Sequence, residues 1–210
     1  MDTVEGFCYL GERLNASGGC EMAVTARTRF GWAKFRECGE LLRGRQFSLK
    51  MKGRVYRTCV RSAMLYGSET WCLRENEMSI LRGAERAMVR AMCGVKPVEK
   101  RNTAELMDML GLRETIDGLA KANGVRWYGH VLRREEDNVL KKALRFTVEG
   151  QRRRGRPRKT WKRQVEESIK NVGLKKEDAL DRGKWKEGAK LIAPGVRCIR
   201  PPSLTGTKPD

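Results

Sequence analysis

The sequence predicts a mainly α-helical protein with a short β segment at its N-terminus and a disordered C-terminal tail. Three observations carry that expectation. Apolar residues recur at helical spacing through most of the chain. Gly and Pro cluster where those stripes break off. Four of the six prolines fall from Pro194 onward, where periodicity is lost.

At the N-terminus, Phe7-Cys8-Tyr9-Leu10 is followed by Gly11 and the turn-rich Asn15-Ala16-Ser17-Gly18-Gly19, which reads as a strand or hairpin. Five helical stripes follow: Ala26, Phe30 and Ala33; then Val55-Tyr56, Cys59-Val60 and Ala63-Met64; then Leu81, Ala84, Met88 and Met92. The fourth is Ile116, Leu119-Ala120, Trp127 and Val131, and the fifth is Trp161, Val165 and Ile169. Breaks fall at Gly67-Ser68, Gly94 to Pro97, Gly111, Gly150 to Pro157 and Gly173. Asn102 followed by Glu105 has the spacing of a capping box opening a helix near residue 103. These signals divide the chain into a β segment over 1–20, a helical domain over 21–147, and a basic linker over 148–159. A short helical region over 160–192 and the tail over 193–210 complete it.

Charge points to a partner. The 210 residues carry 45 Lys and Arg against 26 acids, a net charge of +19 and a pI near 10.1. A chain this basic repels itself until a polyanion neutralises it, and nucleic acid is the usual one. The cations are also ordered along the sequence. Lys50, Arg54, Arg57 and Arg61 recur at i+4, i+3 and i+4, with no acid between 50 and 61; Arg82, Arg86 and Arg90 recur at i+4. One helix face bearing evenly spaced cations can follow a phosphate backbone. The plainer reading is a solvated helix face.

Between 141 and 170 stand 12 Lys/Arg and three Glu, a local charge of +9. Its centre, Arg152-Arg153-Arg154-Gly155-Arg156-Pro157-Arg158-Lys159, matches the AT-hook pattern. There Pro holds an extended backbone, Gly removes bulk and arginines enter a narrow minor groove. The favoured reading is a basic linker that touches phosphates without sequence preference. A nuclear-localisation signal fits either case, and Pro157 also suits the first turn of the helix carrying Trp161. In Arg126-Trp127-Tyr128-Gly129-His130, the two aromatics could stack on a base, but the spacing of Trp127 with Ile116 and Val131 favours a core position. His130 reads as a structural histidine near a helix surface.

Other functions find little support. The seven cysteines, at 8, 20, 38, 59, 72, 93 and 198, include no CxxC pair, and His130 is the one histidine, so no zinc site is expected. The cysteines read as reduced residues of an intracellular protein, nuclear or cytoplasmic. The opening MDTVEGFCYL lacks the basic and apolar regions of a signal peptide, and no stretch approaches a membrane span. Polymerisation needs closely placed carboxylates for two metal ions, yet the seven Asp, at 2, 108, 117, 137, 178, 181 and 210, are never adjacent. No catalysis, cofactor or small-molecule substrate is therefore expected; the partner is RNA or DNA.

Five segments in order carry a resemblance: Tyr9-Leu10-Gly11, Leu65-Tyr66-Gly67-Ser68-Glu69-Thr70-Trp71, Arg126 to Arg133, Gly155-Arg156-Pro157-Arg158-Lys159-Thr160-Trp161, and Asp181-Arg182-Gly183-Lys184-Trp185. From about residue 7 to 190 the chain resembles the region after the catalytic palm in non-long-terminal-repeat (LINE-type) retrotransposon reverse transcriptases. The resemblance implies that Tyr9, Leu10 and Gly11 are the remnant of the primer-gripping hairpin. It makes the following helices a thumb and extension that hold template and primer, with the two basic stripes as the thumb surface. The family's Asp-Asp box is absent, so no catalytic residue carries over, and the zinc knuckle of some relatives is absent too. The function expected is RNA or DNA binding without polymerisation. The alternatives are an AT-hook-like DNA binder, or a helical protein-interaction module whose charge is incidental.

Overall fold

A computed structural model describes residues 6–9, 12–15, 19–96, 98–146 and 159–193. The chain is mainly helical, as its periodicity predicts. The tail beyond 193, together with Leu10, Gly11, Arg152, Arg153, Arg154, Arg156 and Arg158, lies outside the described residues.

Two short strands, β1 (Gly6–Tyr9) and β2 (Glu12–Asn15), pair antiparallel with Tyr9 opposite Glu12. β2 runs beside α1 (Glu21–Glu37), which leads through α2 (Gly39–Arg43) to α3 (Leu49–Val55). A π-helical segment, Tyr56–Arg61, continues α3 into α4 (Ser62–Met64) without leaving right-handed helical dihedrals. Within it, hydroxyls compete with the α ladder. Thr58 Oγ1 donates to the Arg54 carbonyl at 3.0 Å, and Ser62 Oγ to that of Cys59 at 3.3 Å. A 3-10 turn, Ser68–Thr70, leads to α5 (Glu75–Cys93), and then come α6 (Thr103–Met109), α7 (Ile116–Leu132) and α8 (Val139–Arg145). α9 (Trp161–Asn171), a second 3-10 turn (Lys176–Leu180) and α10 (Arg182–Leu191) close the order.

Helix starts follow ordinary capping chemistry. The side chains of Ser48, Asn102, Thr115, Asn138, Thr160 and Asp181 each accept a hydrogen bond from a backbone N–H of the first turn. The cap at Thr160 corrects the expectation for Pro157. The helix carrying Trp161 opens after Thr160, so Pro157 stands outside its first turn and outside the described residues.

Two apolar clusters form. The larger gathers α1 to α6 and the start of α7, around Val24, Leu42, Val60, Leu81, Met88 and Ile116, all fully buried. The smaller joins the second half of α7 to α9 and α10 through Val125, Tyr128, Val165, Ile169 and Trp185. α7 thus serves both, and small residues at Gly118, Ala120, Ala122, Gly124 and Gly129 let neighbours approach it on most sides. At Gly129 the approach is extreme, for a Cβ there would sit 2.2 Å from the Trp185 indole nitrogen. Trp185 Nε1 in turn donates to the Val125 carbonyl at 3.0 Å, which fixes α10 on α7.

The loop between α4 and α5 receives the C-terminal region. Trp161 Nε1 donates to the Glu69 carbonyl at 2.7 Å and Gln164 Nε2 to the Leu73 carbonyl at 3.1 Å. Asn123 Nδ2 donates to Ser68 Oγ at 2.8 Å. Four of the segments that carry the family resemblance therefore meet at these joints.

Candidate nucleic-acid interface

The first basic stripe divides. Lys50, Arg54 and Arg57 are exposed on α3 and the π segment, and no acid among the described residues pairs with them. Arg61, expected on the same face, is instead 1% exposed. Its Nε donates to Glu85 Oε1 at 2.8 Å and its Nη2 to the Glu114 carbonyl at 2.5 Å. The same Glu85 accepts from Tyr56 Oη at 3.3 Å and from the Ile116 amide at 3.1 Å. Burial, then the neighbouring carboxylate, holds the Tyr56 phenol well above its usual range. Arg61 is thus a buried structural cation and does not belong to an exposed phosphate-binding face.

The physical reason is the π segment. A π-type bond spans one residue more than an α bond, so side chains rotate less per step. The spacing i+4, i+3, i+4 keeps one face only while the helix stays α. Across Tyr56–Arg61 the face drifts by roughly a quarter turn, enough to turn Arg61 from solvent to core.

The second stripe is largely engaged within the fold. Arg82 pairs with Glu75 at 3.0 Å and with Asp117 at 3.3 Å. Arg90 donates to the carbonyls of Lys96 and Glu99, the latter at 2.8 Å. Arg86 alone of the three is exposed without such a partner among the described residues. Further along, Lys159 pairs with Glu167 at 3.1 Å, and Lys162 is exposed with no acidic partner among the described residues.

Sequence reasoning misplaced the aromatics of α7. Tyr128, one position along, enters the smaller core, 1% exposed, with its hydroxyl 3.4 Å from Glu166 Oε1. Trp127 is half-buried and stays out of both apolar clusters. Its indole stacks on the His130 imidazole with centroids 5.2 Å apart and planes 19° from parallel. Arg134 Nη2 lies 2.9 Å from His130 Nε2, and Arg126 Nη1 donates to Asn123 Oδ1 at 2.7 Å. Trp127 also lines a groove of about 710 Å³ between α7, α8 and the start of α9. The signal that would have found this was present: Arg126, Trp127 and His130 share one short window with Arg133 and Arg134.

Cys59 is exposed, whereas Cys20 is buried and its thiol is pushed up to about 12, chiefly by desolvation. Among the described residues no group of three His, Cys, Asp or Glu is gathered as a metal site would require. Nor is any described helix long and apolar enough to cross a membrane.

The chain is similar to a transposon-derived protein of Caenorhabditis elegans, 24% identical over 140 residues. The matched stretch covers 65% of this chain and 50% of the relative, so the chain spans about half the length of the curated relative it matches. That likeness supports a transposon-related origin. No family model and no solved structure matches the chain.

Proposed function

We propose that this chain holds RNA or DNA as the post-palm, thumb-and-extension region of a LINE-type retrotransposon reverse transcriptase, without polymerising. One observation carries the reading: Lys50, Arg54 and Arg57 stand exposed on one helical run with no acid among the described residues to neutralise them, in a chain of net charge +19. Unpaired helix cations keep their full charge for phosphate, and each contact formed releases a condensed counterion. The transposon-derived relative and the order of the five segments support the parentage. The scattered aspartates support a holding role, since no two Asp are adjacent as an Asp-Asp box for two metal ions would require.

On this reading the contact surface comprises Lys50, Arg54, Arg57 and Arg86, joined by the linker cations Arg152, Arg153, Arg154, Arg156 and Arg158. Lys159, Arg82 and Arg90 contribute long-range field more than direct contact, because their charges are already partnered. Replacing Lys50, Arg54 and Arg57 together with Gln tests it. The slope of log K against log salt on duplex should flatten by about 2 to 3, at roughly 0.9 per phosphate contact, with the circular-dichroism spectrum unchanged. An unaltered slope would remove this face from the interface. A strong preference for A·T-rich over G·C-rich duplex that disappears on Pro157→Ala would favour the AT-hook reading instead.

A further inference from the structure

We propose that Trp127, backed by His130, is a stacking platform for an unpaired base, so that this chain grips single-stranded nucleic acid by a base as well as by phosphates. The proposal rests on the nucleic-acid reading above and adds to it a site, a strand state and a chemical contact. In a packed helix a tryptophan at this position would be expected to enter the core, yet Trp127 belongs to neither apolar cluster while its neighbours Val125 and Tyr128 do. One contact already organises it, the near-parallel stack on His130, which orients the indole at no cost to the core.

The surroundings match a base and its backbone better than a peptide. Trp127 lines the 710 Å³ groove with Leu140, Phe146, Trp161, Arg145 and Lys162. Phe146 is 75% exposed at its rim, so a second aromatic edge faces solvent there. Trp127 also lines a smaller depression of about 310 Å³ with Glu69, Arg126 and His130. Cations thus line both hollows beside the ring, Arg126 in one, Arg145 and Lys162 in the other. Among the described residues only Arg145 of these three has an acidic partner, Glu136. An indole flanked by cations attracts a flat, π-faced group attached to anions, and a nucleotide of a single strand has that composition. In a duplex the bases are stacked on each other and cannot reach the ring.

The test uses the full chain and two oligonucleotides of about 12 nucleotides, within the span of single-strand sites: oligo-dT and an abasic strand with the same number of phosphates. Wild-type protein should bind oligo-dT about tenfold more tightly than the abasic strand, in line with one stacked base. Trp127→Leu, which keeps apolar bulk and removes the π face, should abolish that difference and leave duplex binding and helical content unchanged. Trp127→Phe should restore much of the preference. Equal binding of the two strands by the wild type, or a preference that survives Trp127→Leu, would overturn the platform while the phosphate-binding reading stands. A groove that serves an apolar peptide predicts that equal binding. Failure to bind any of the three nucleic acids would overturn both.

Discussion

At the scale of single residues, Arg57 and Arg61 differ most in what the same side chain does. They stand four positions apart in one helical run, yet one is exposed and the other is 1% exposed and paired with Glu85. Removing one partner of a buried pair leaves the other charge without compensation, typically a loss of about 3–5 kcal/mol. Here Glu85 would keep bonds from Tyr56 and Ile116, which moderates the loss toward the lower end. Arg61→Met should therefore destabilise the fold by about 3 kcal/mol in urea titrations, with little effect on nucleic-acid affinity per folded molecule. Arg57→Met should do the reverse, changing stability by less than about 0.5 kcal/mol while weakening binding. The opposite pattern would return Arg61 to the interface. A chain with a free energy of unfolding of only about 5–15 kcal/mol has little margin for the first substitution.

At the scale of elements, most of the helical order was legible and the reasons are local. The breaks read at Gly67, Gly94, Gly111 and Gly173 all coincide with left-handed backbone, φ between 68° and 76°, where a side chain is costly. The stripes of Leu81, Met88 and Met92 and of Val165 and Ile169 are buried as their spacing implies. The stripe of Ala26, Phe30 and Ala33 does not mark the buried face of α1, for Phe30 and Ala33 are exposed while Ala23, Val24, Gly31 and Phe35 are buried, and no departure from 3.6 residues per turn showed in the sequence. The π segment carried Arg61 inward, and the encircled α7 placed Tyr128, rather than Trp127, against α9 and α10. Periodicity also cannot reveal which helices meet, so the roles of Trp161, Trp185 and Gly129 as joints between distant segments emerged only from the fold. Gly129→Ala tests one joint. The added methyl raises helix propensity by about 1 kcal/mol, but at 2.2 Å from Trp185 Nε1 it cannot fit without displacing the indole. Overpacking of this kind costs about 1–3 kcal/mol or more and should win. Amide exchange should quicken across α10 and leave α5 protected; uniform protection in both would mean that α10 does not depend on this contact.

At the scale of the whole molecule, charge is the property that the fold leaves least satisfied. Much of the acidic complement is used internally: Glu75, Asp117, Glu136, Glu166, Glu167 and Asp178 all pair with Lys or Arg. The chain keeps a net charge of +19, and on the proposed reading its distribution sets how nucleic acid is held. Exposed pairs contribute little to stability individually, so the surplus is better understood as an attractive field than as a scaffold. The direct test is the salt dependence of duplex binding by the full chain, titrated at three ionic strengths. Neutralisation of about five to eight phosphates predicts a slope of log K on log salt of roughly −4 to −7, with A·T-rich and G·C-rich duplexes within a few-fold of each other. A flat response would contradict nucleic-acid binding and leave a helical protein-interaction module whose charge is incidental.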